Sequence, residues 1–259
     1  MKYPDTDKNS QNLSREVHVW HVVPESVRDP AILQHCRDIL DPEEREKLGR
    51  FIRPDDGHHY LVSHALLRSV LSYYADVAPA DWRFAHGKHG RPEIQPDMQS
   101  PLRFNLTHTR GLAACVVTRD VDCGIDAEQL HKRSNPLGVA QRMFSPLELE
   151  ALGQKRGTDF LEYFYQHWTL REAYVKARGI GISFPTRQLC FNTEGERISV
   201  KFDDSIDDTE RNWYFQLIRP NATHIIALAL RDNPDEHRHV IVSEWGQGQW
   251  GQVWQRGQI

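Results

Sequence analysis

The chain has 259 residues, 39% of them hydrophobic and 26% charged, enough apolar material for one large domain or two compact halves with buried cores. Its formal charge of −4, without a basic arm or run, gives no hint of nucleic acid. No apolar run approaches the ~20 residues of a membrane span, and the polar stretch Met1 to Arg15 lacks the apolar centre of a secretory signal and reads as a loose leader.

Val17 to Val23 alternates apolar and polar residues and predicts a first strand. Asp41-Pro42-Glu43-Glu44 is a helix start: an acidic N-cap, proline in the first turn, then acids on the positive end of the dipole. That helix is expected to reach about Phe51. Asp55 or Asp56 is placed to cap the next, in which Tyr60, His64, Leu67, Leu71 and Tyr74 form a core-facing stripe. From Asp81 to Ile94 a short strand, a Gly/Lys/His turn and an extended piece are expected. Phe104–Thr109, the turn at Arg110-Gly111 and Leu112–Thr118 predict a hairpin.

Val121 to Glu128 reads as a strand and Leu137 to Met143 as a helix. Ser145-Pro-Leu-Glu148 is a capping box opening a helix to about Leu152, and a long helix follows from about Asp159 to Arg178, with Gly179 placed to end it. The remainder is strand-like: Leu189–Phe191, Ile198–Phe202, Trp213–Ile218, His224–Leu230 and Val240–Ser243, with the acidic run Asp203 to Glu210 as a solvated loop. The tail from Trp245 to Ile259 has no assigned role. Cys36, Cys115, Cys123 and Cys190 form no C-x-x-C pair, so free thiols in a reduced cytoplasm are expected.

The two capped helix pairs can be overlaid without gaps at an offset of 104 (146 minus 42), matching Pro42 to Pro146, Glu44 to Glu148, Leu48 to Leu152, Gly49 to Gly153 and Tyr60 to Phe164. The expectation is an α+β protein of two similar halves, 1–120 and 121–259. They would be related by pseudo-two-fold symmetry, each a helix pair on an antiparallel sheet, with a ligand cleft between them.

The long second-half helix carries an apolar stripe through Leu161, Phe164, Tyr165 and Trp168, and the same stripe then meets Glu172, Val175 and Lys176. Charges on a core-facing stripe need a partner, a metal or a ligand; an ordinary exposed i,i+4 ion pair is the competing explanation. On the gapless overlay Leu67 and Arg68 take the places of Arg171 and Glu172, so the Glu/Lys pair belongs to one half only. Asp126 and Glu128, two apart on a strand, point to one face. Two acids so close repel unless a cation joins them, and all-oxygen ligands favour Mg²⁺ or Mn²⁺; an exposed edge strand with two solvated acids remains open. With Glu172 as a third carboxylate and Lys176 one turn on, the set makes a diphosphate-handling site. His108, at the hairpin end, can donate to a phosphate or move a proton. The turn His86 to Pro92 offers glycines and cations. His237 and His239 lie among Arg and Glu and make a weak metal pair.

Gly90-Arg91-Pro92, Phe104-Asn-Leu-Thr-His-Thr109, Gly124-Ile-Asp-Ala-Glu128 and Trp168-Thr-Leu-Arg-Glu-Ala-Tyr-Val-Lys176 resemble, in order and spacing, the motifs of the 4′-phosphopantetheinyl transferases of the larger, pseudo-dimeric Sfp type. The resemblance runs from about Val17 to about Val242. It implies that Asp126, Glu128 and Glu172 bind Mg²⁺ beside the diphosphate of coenzyme A. Lys176 and His108 would contact phosphate, Thr107 and Arg91 would help hold the coenzyme, and Lys47, Arg50 and His58 would face its 3′-phosphate. A serine of an acyl or peptidyl carrier protein would attack, with Glu172 as base and 3′,5′-ADP leaving. A cytoplasmic monomer is implied, with Arg133, Arg142, Met143 and Phe144 as candidates to meet the carrier. The chain departs from the family at Arg171 and Arg91, where lysine is common, and at Glu44, where some relatives carry a base near the 3′-phosphate. Two other readings remain: a non-catalytic relative that binds coenzyme A or a carrier, and a Mg²⁺-dependent phosphohydrolase.

Overall fold

The computed structural model describes residues 6–87, 89–131, 135–181, 184–232 and 238–246. Its helices are α1 (Thr6–Asn12), α2 (Pro30–Asp38), α3 (Pro42–Gly49), α4 (Pro54–Tyr74), α5 (Pro136–Met143), α6 (Pro146–Gln154) and α7 (Gly157–Arg178). Its strands are β1 (Glu16–Val22), β2 (Phe84–His86), β3 (Pro92–Ile94), β4 (Leu102–Thr109), β5 (Leu112–Arg119), β6 (Cys123–Gln129), β7 (Leu189–Asn192), β8 (Ser199–Phe202), β9 (Tyr214–Asn221), β10 (His224–Leu230) and β11 (His239–Glu244). This is the expected α+β class. No helix among the described residues is long and apolar enough to cross a membrane.

The predicted Asp41 cap and the predicted Ser145 capping box both form, Ser145 with Glu148 opening α6, and Asp41 goes further by making a box of its own with Glu44 to open α3. Gly179 ends α7 at φ 62°, a left-handed position that glycine adopts without a Cβ penalty. Other expectations fail locally. The leader is not loose from Thr6 on, since α1 packs on α4, Asn9 donates to Tyr73 O at 3.2 Å and Leu13 is fully buried. Neither Asp55 nor Asp56 caps α4; Arg53 is its N-cap, without a side-chain bond, and Pro54 opens it. Helix α2 was not expected, although Asp29 caps it by accepting from the amides of Ala31 and Ile32 ahead of a first-turn proline. The acidic loop is anchored at Asp208, which accepts from Tyr174 and from Trp213 Nε1, both at 2.9 Å, and pairs with Arg178.

Two main sheets carry the two helix layers. The first has the order β11-β1-β5-β4 and the second β6-β10-β9. In the first, α4 covers one face with Leu66, Val70 and Leu71 against Phe104, Ala113 and Val117. In the second, α7 packs Leu170, Ala173 and Ala177 against Ala227 and Ala229. The opposite faces of the two sheets meet each other through Val17, Val19, Ala114, Val116, Ile125, Ala127, Ile226 and Leu228. The last strand does not stay with the 121–259 half: β11 pairs in parallel with β1, Val17 opposite Val240, so the first sheet is mixed rather than antiparallel.

Each helix pair encloses a buried arginine. Arg68, fully buried, donates from Nε to Glu44 at 2.6 Å, and Arg171, fully buried, pairs with Glu148. The gapless overlay is therefore interrupted. Glu44 answers to Glu148 at 104, but Arg68 answers to Arg171 at 103 (171 minus 68), and Tyr60 answers to Tyr163 rather than Phe164. Ser69, not Arg68, stands at the place of Glu172.

Candidate active site

Strand β6 joins the halves. On one side it pairs with β10, Asp126 opposite Ala227. On the other, side chains of β4 take the place of a backbone ladder. Asn105 Oδ1 accepts from Ile125 N at 2.9 Å, and Thr107 Oγ1 accepts from Ala127 N at 3.3 Å. This satisfies the edge of β6 and turns Asp126 and Glu128 toward α7, while Ile125 and Ala127 enter the core. They are not solvated acids on an exposed strand. Gly124 permits the close approach of α7: a Cβ there would lie 2.1 Å from Ala173 O and 2.4 Å from Ala177 N.

Lys176 reaches back from α7 into this join. Its ammonium lies 2.7 Å from Asp126 Oδ1, 3.1 Å from Ile125 O and 3.2 Å from Thr107 Oγ1. Asp126 is only 7% exposed, and its Oδ2 is buried without a partner. Burial pushes this carboxyl above the usual carboxylate range, against the pull of the Lys176 ammonium and the Thr107 hydroxyl. Glu172 is also raised, first by desolvation, then by the negative charge of Asp126, with Glu128 adding to it and Lys176 opposing. Glu128 Oε1 accepts from Trp168 Nε1 at 2.9 Å.

The three carboxylates are thus neighbours, but among the described residues no three His, Cys, Asp or Glu side chains converge closely enough to hold a metal ion as placed. The chemistry of the set nevertheless fits a hard divalent cation. One buried carboxylate oxygen is unpartnered, and Asp126 and Glu128 each act on the titration of Glu172.

His108 stands exposed at the end of β4. Partial desolvation holds its imidazole below the ordinary value, joined by the positive charges of His64, Lys176, His59 and Lys47. Cations of both halves thus act on His108. Lys47 lies over the Tyr60 ring at 5.1 Å. The other two residues expected at the 3′-phosphate are engaged locally: Arg50 with Glu46, and His58 Nε2 at 2.7 Å from Pro24 O. Glu44, the apparent obstacle there, is 8% exposed, and it is bonded to Arg68 and to His64 at 2.7 Å. Although burial opposes it, those two partners hold its carboxyl below the usual range. Arg91 lies apart from the acids, against the end of α7.

Of the residues offered for carrier contact, Phe144 is fully buried in the core, Arg142 is exposed, Met143 is half-buried and Arg133 lies outside the described residues. Lys88 and His237 also lie outside them, as do residues 247–259 of the tail, while His239 opens β11 rather than a turn. Sequence reasoning gave no site role to Asn105, Trp168, His59 and His64. The first two were legible as neighbours of named residues: Asn105 shares the strand face of Thr107, and Trp168 stands one helical turn before Glu172.

Two family models match the chain in succession. That of the 4′-phosphopantetheinyl transferase N-terminal domain covers residues 29–119, and that of the 4′-phosphopantetheinyl transferase superfamily covers residues 122–229. The 4′-phosphopantetheinyl transferase HetI of Nostoc sp. is 34% identical over 175 residues, 66% of this chain and 72% of its own. The 4′-phosphopantetheinyl transferase Sfp of Bacillus subtilis is 32% identical over 168 residues, 64% of this chain and 73% of its own. The L-aminoadipate-semialdehyde dehydrogenase-phosphopantetheinyl transferase of Mus musculus is 25% identical over 222 residues, 79% of this chain and 71% of its own. The junction between the two models falls between β5 and β6, where the halves join, and these matches identify the chain as a member of the 4′-phosphopantetheinyl transferase family, of the Sfp type.

Proposed function

We propose that this chain transfers the 4′-phosphopantetheine arm of coenzyme A to a serine hydroxyl of an acyl or peptidyl carrier protein, releasing 3′,5′-ADP. The observation that carries the reading is the cluster at the join: buried Asp126 with an unpartnered oxygen, Glu172 raised by desolvation and then by its acidic neighbours, and Lys176 aimed among them. In this reading the serine oxygen attacks the β-phosphorus of coenzyme A. The new P–O bond forms as the bond from that phosphorus to the oxygen it shares with the α-phosphorus breaks, and the bonding pair leaves on 3′,5′-ADP. Glu172 takes the serine proton, directly or through a water, and its raised pKa makes the ionised form a stronger base. Lys176 and His108 meet phosphate charge; Lys47, Arg50 and His58 are offered to the 3′-phosphate. Thr107 acts through Lys176 and Asp126, to which its hydroxyl is bonded. Mg²⁺ or Mn²⁺ held by Asp126, Glu128 and Glu172 would supply positive charge at the diphosphate. Such chemistry is mostly positioning and charge stabilisation.

The finer organisation belongs to the same proposal. We read the two halves as copies related by a pseudo-two-fold axis, a reading supported by the Glu–Arg–His–Tyr cluster built round a buried arginine in each. A monomer in a reducing cytoplasm is in keeping with four free thiols, three of them buried.

The test is mass spectrometry of apo carrier proteins incubated with coenzyme A, Mg²⁺ and this protein. A mass gain of one phosphopantetheine arm is expected. Absence of that gain with acyl and peptidyl carriers alike overturns the reading, and phosphate release from coenzyme A without a carrier replaces it with hydrolysis.

A further inference from the structure

We propose that Arg91 is a positioning residue for the transfer site and not a contact for coenzyme A. Its guanidinium donates to four backbone carbonyls. Nη1 meets Lys176 O at 2.8 Å and Ala177 O at 2.6 Å, and Nη2 meets Cys123 O at 3.1 Å and Phe104 O at 3.4 Å. A guanidinium has five N–H groups. The Nη groups are committed to these carbonyls, which leaves only the Nε, buried without a partner, so the forked face that would grip a phosphate is already taken.

The elements so joined are those that carry the site. Lys176 O and Ala177 O belong to the last turn of α7, at the negative end of its dipole, where Lys176 O also accepts from Gly179 N at 3.2 Å. Cys123 opens β6, three residues before Asp126, and Phe104 lies on β4, three before Thr107. The backbone of Lys176 is therefore held by Arg91 while its ammonium is held by Asp126, Ile125 O and Thr107. A planar fork can span three elements at once, whereas an ammonium is a point charge on a flexible stem.

The inference rests on the transferase reading for its rate arm and on neither substrate nor turnover for its structural arm. Arg91→Ala and Arg91→Lys in the full chain are compared with wild type in carrier loading, in calorimetric binding of coenzyme A with Mg²⁺, and in hydrogen exchange of residues 173–179. Coenzyme affinity within about threefold of wild type is expected. A kcat lowered by about 10- to 100-fold in Arg91→Ala, only partly recovered in Arg91→Lys, and faster exchange at the end of α7 are expected with it. Coenzyme binding weakened about tenfold or more with kcat unchanged overturns the proposal in favour of a coenzyme contact. Faster exchange with unchanged kcat overturns it in favour of a purely structural staple. Should Arg91→Ala fail to fold, Arg91→Lys, which keeps the charge, carries the same comparison. Should the wild type load no carrier, the transferase reading fails on its own, and the binding and exchange arms still decide the role of Arg91.

Discussion

In the first helix pair Glu44 lies 2.7 Å from His64 and 2.6 Å from Arg68, and Tyr60 packs on that histidine at 4.0 Å between centroids. In the second, Glu148 pairs with Arg171, His167 lies 4.0 Å from the same carboxylate, and Tyr163 stacks on it at 3.9 Å. The device is the same and its setting is not. The His64 side chain is 23% exposed and its charge acts on His108, whereas the His167 side chain is 1% exposed and its pKa falls to about 4, chiefly by desolvation. One step beyond each arginine the two helices part: Ser69 answers Glu172, and Tyr73 answers Lys176. Beyond a brace of the same kind α4 and α7 carry different residues, and of the two only α7 brings a carboxylate and an ammonium to the join.

The largest effect that would break this comparison concerns the acids. Asp126→Asn and Glu172→Gln should each lower carrier loading by about 100-fold or more with thermal stability held, while Ser69→Ala, at the answering position of α4, should leave the rate near wild type. Equal losses from Ser69→Ala would mean that the site draws on both helices. Next come the braces. Removing one partner of a buried pair strands the other charge at a cost of about 3–5 kcal/mol. Glu148→Ala should cost more than Glu44→Ala in urea unfolding, because Arg68 keeps a second carboxylate at Asp41, while among the described residues Arg171 pairs with Glu148 alone. The smallest effect separates the histidines. His167 is held from an ordinary 6.5 to about 4 when folded, so the unfolded chain binds more protons between those values. Stability should therefore be full above pH 6.5 and decline as pH falls toward 4. His167→Gln should flatten that decline in unfolding followed against pH, and an unchanged slope would remove His167 as its source.

Local chemistry made much of this legible. The cap at Asp41 and the box at Ser145 opened α3 and α6 as expected, because capping depends on residues within one turn, and Gly179 ended α7 for a similarly local reason. Glu172 and Lys176 were singled out because charges broke an apolar stripe, and Asp126 and Glu128 because two acids two apart on a strand share one face. The failures are non-local. Nothing near Val240 announces a parallel partner at Val17, and nothing near Arg91 announces the carbonyls of Lys176 and Ala177. Glu44 looked like a hostile surface charge because its partner Arg68 lies 24 residues away. Asp29-Pro30 had the same form as Asp41-Pro42, and α2 was missed although its signal was present.

The pairing of β11 with β1 sets an order on synthesis. Until residue 244 has been made, the outer edge of β1 has no partner and presents its free amides and carbonyls to other chains. The first half is therefore the first translated and the last completed. Arg238, which donates to Ser14 O at 3.0 Å, and Trp245, whose amide donates to His21 O at 2.7 Å, act as the clasp that closes it. A nascent chain stalled after β10 would carry every acid of the proposed site and still expose an open edge, a state prone to aggregation.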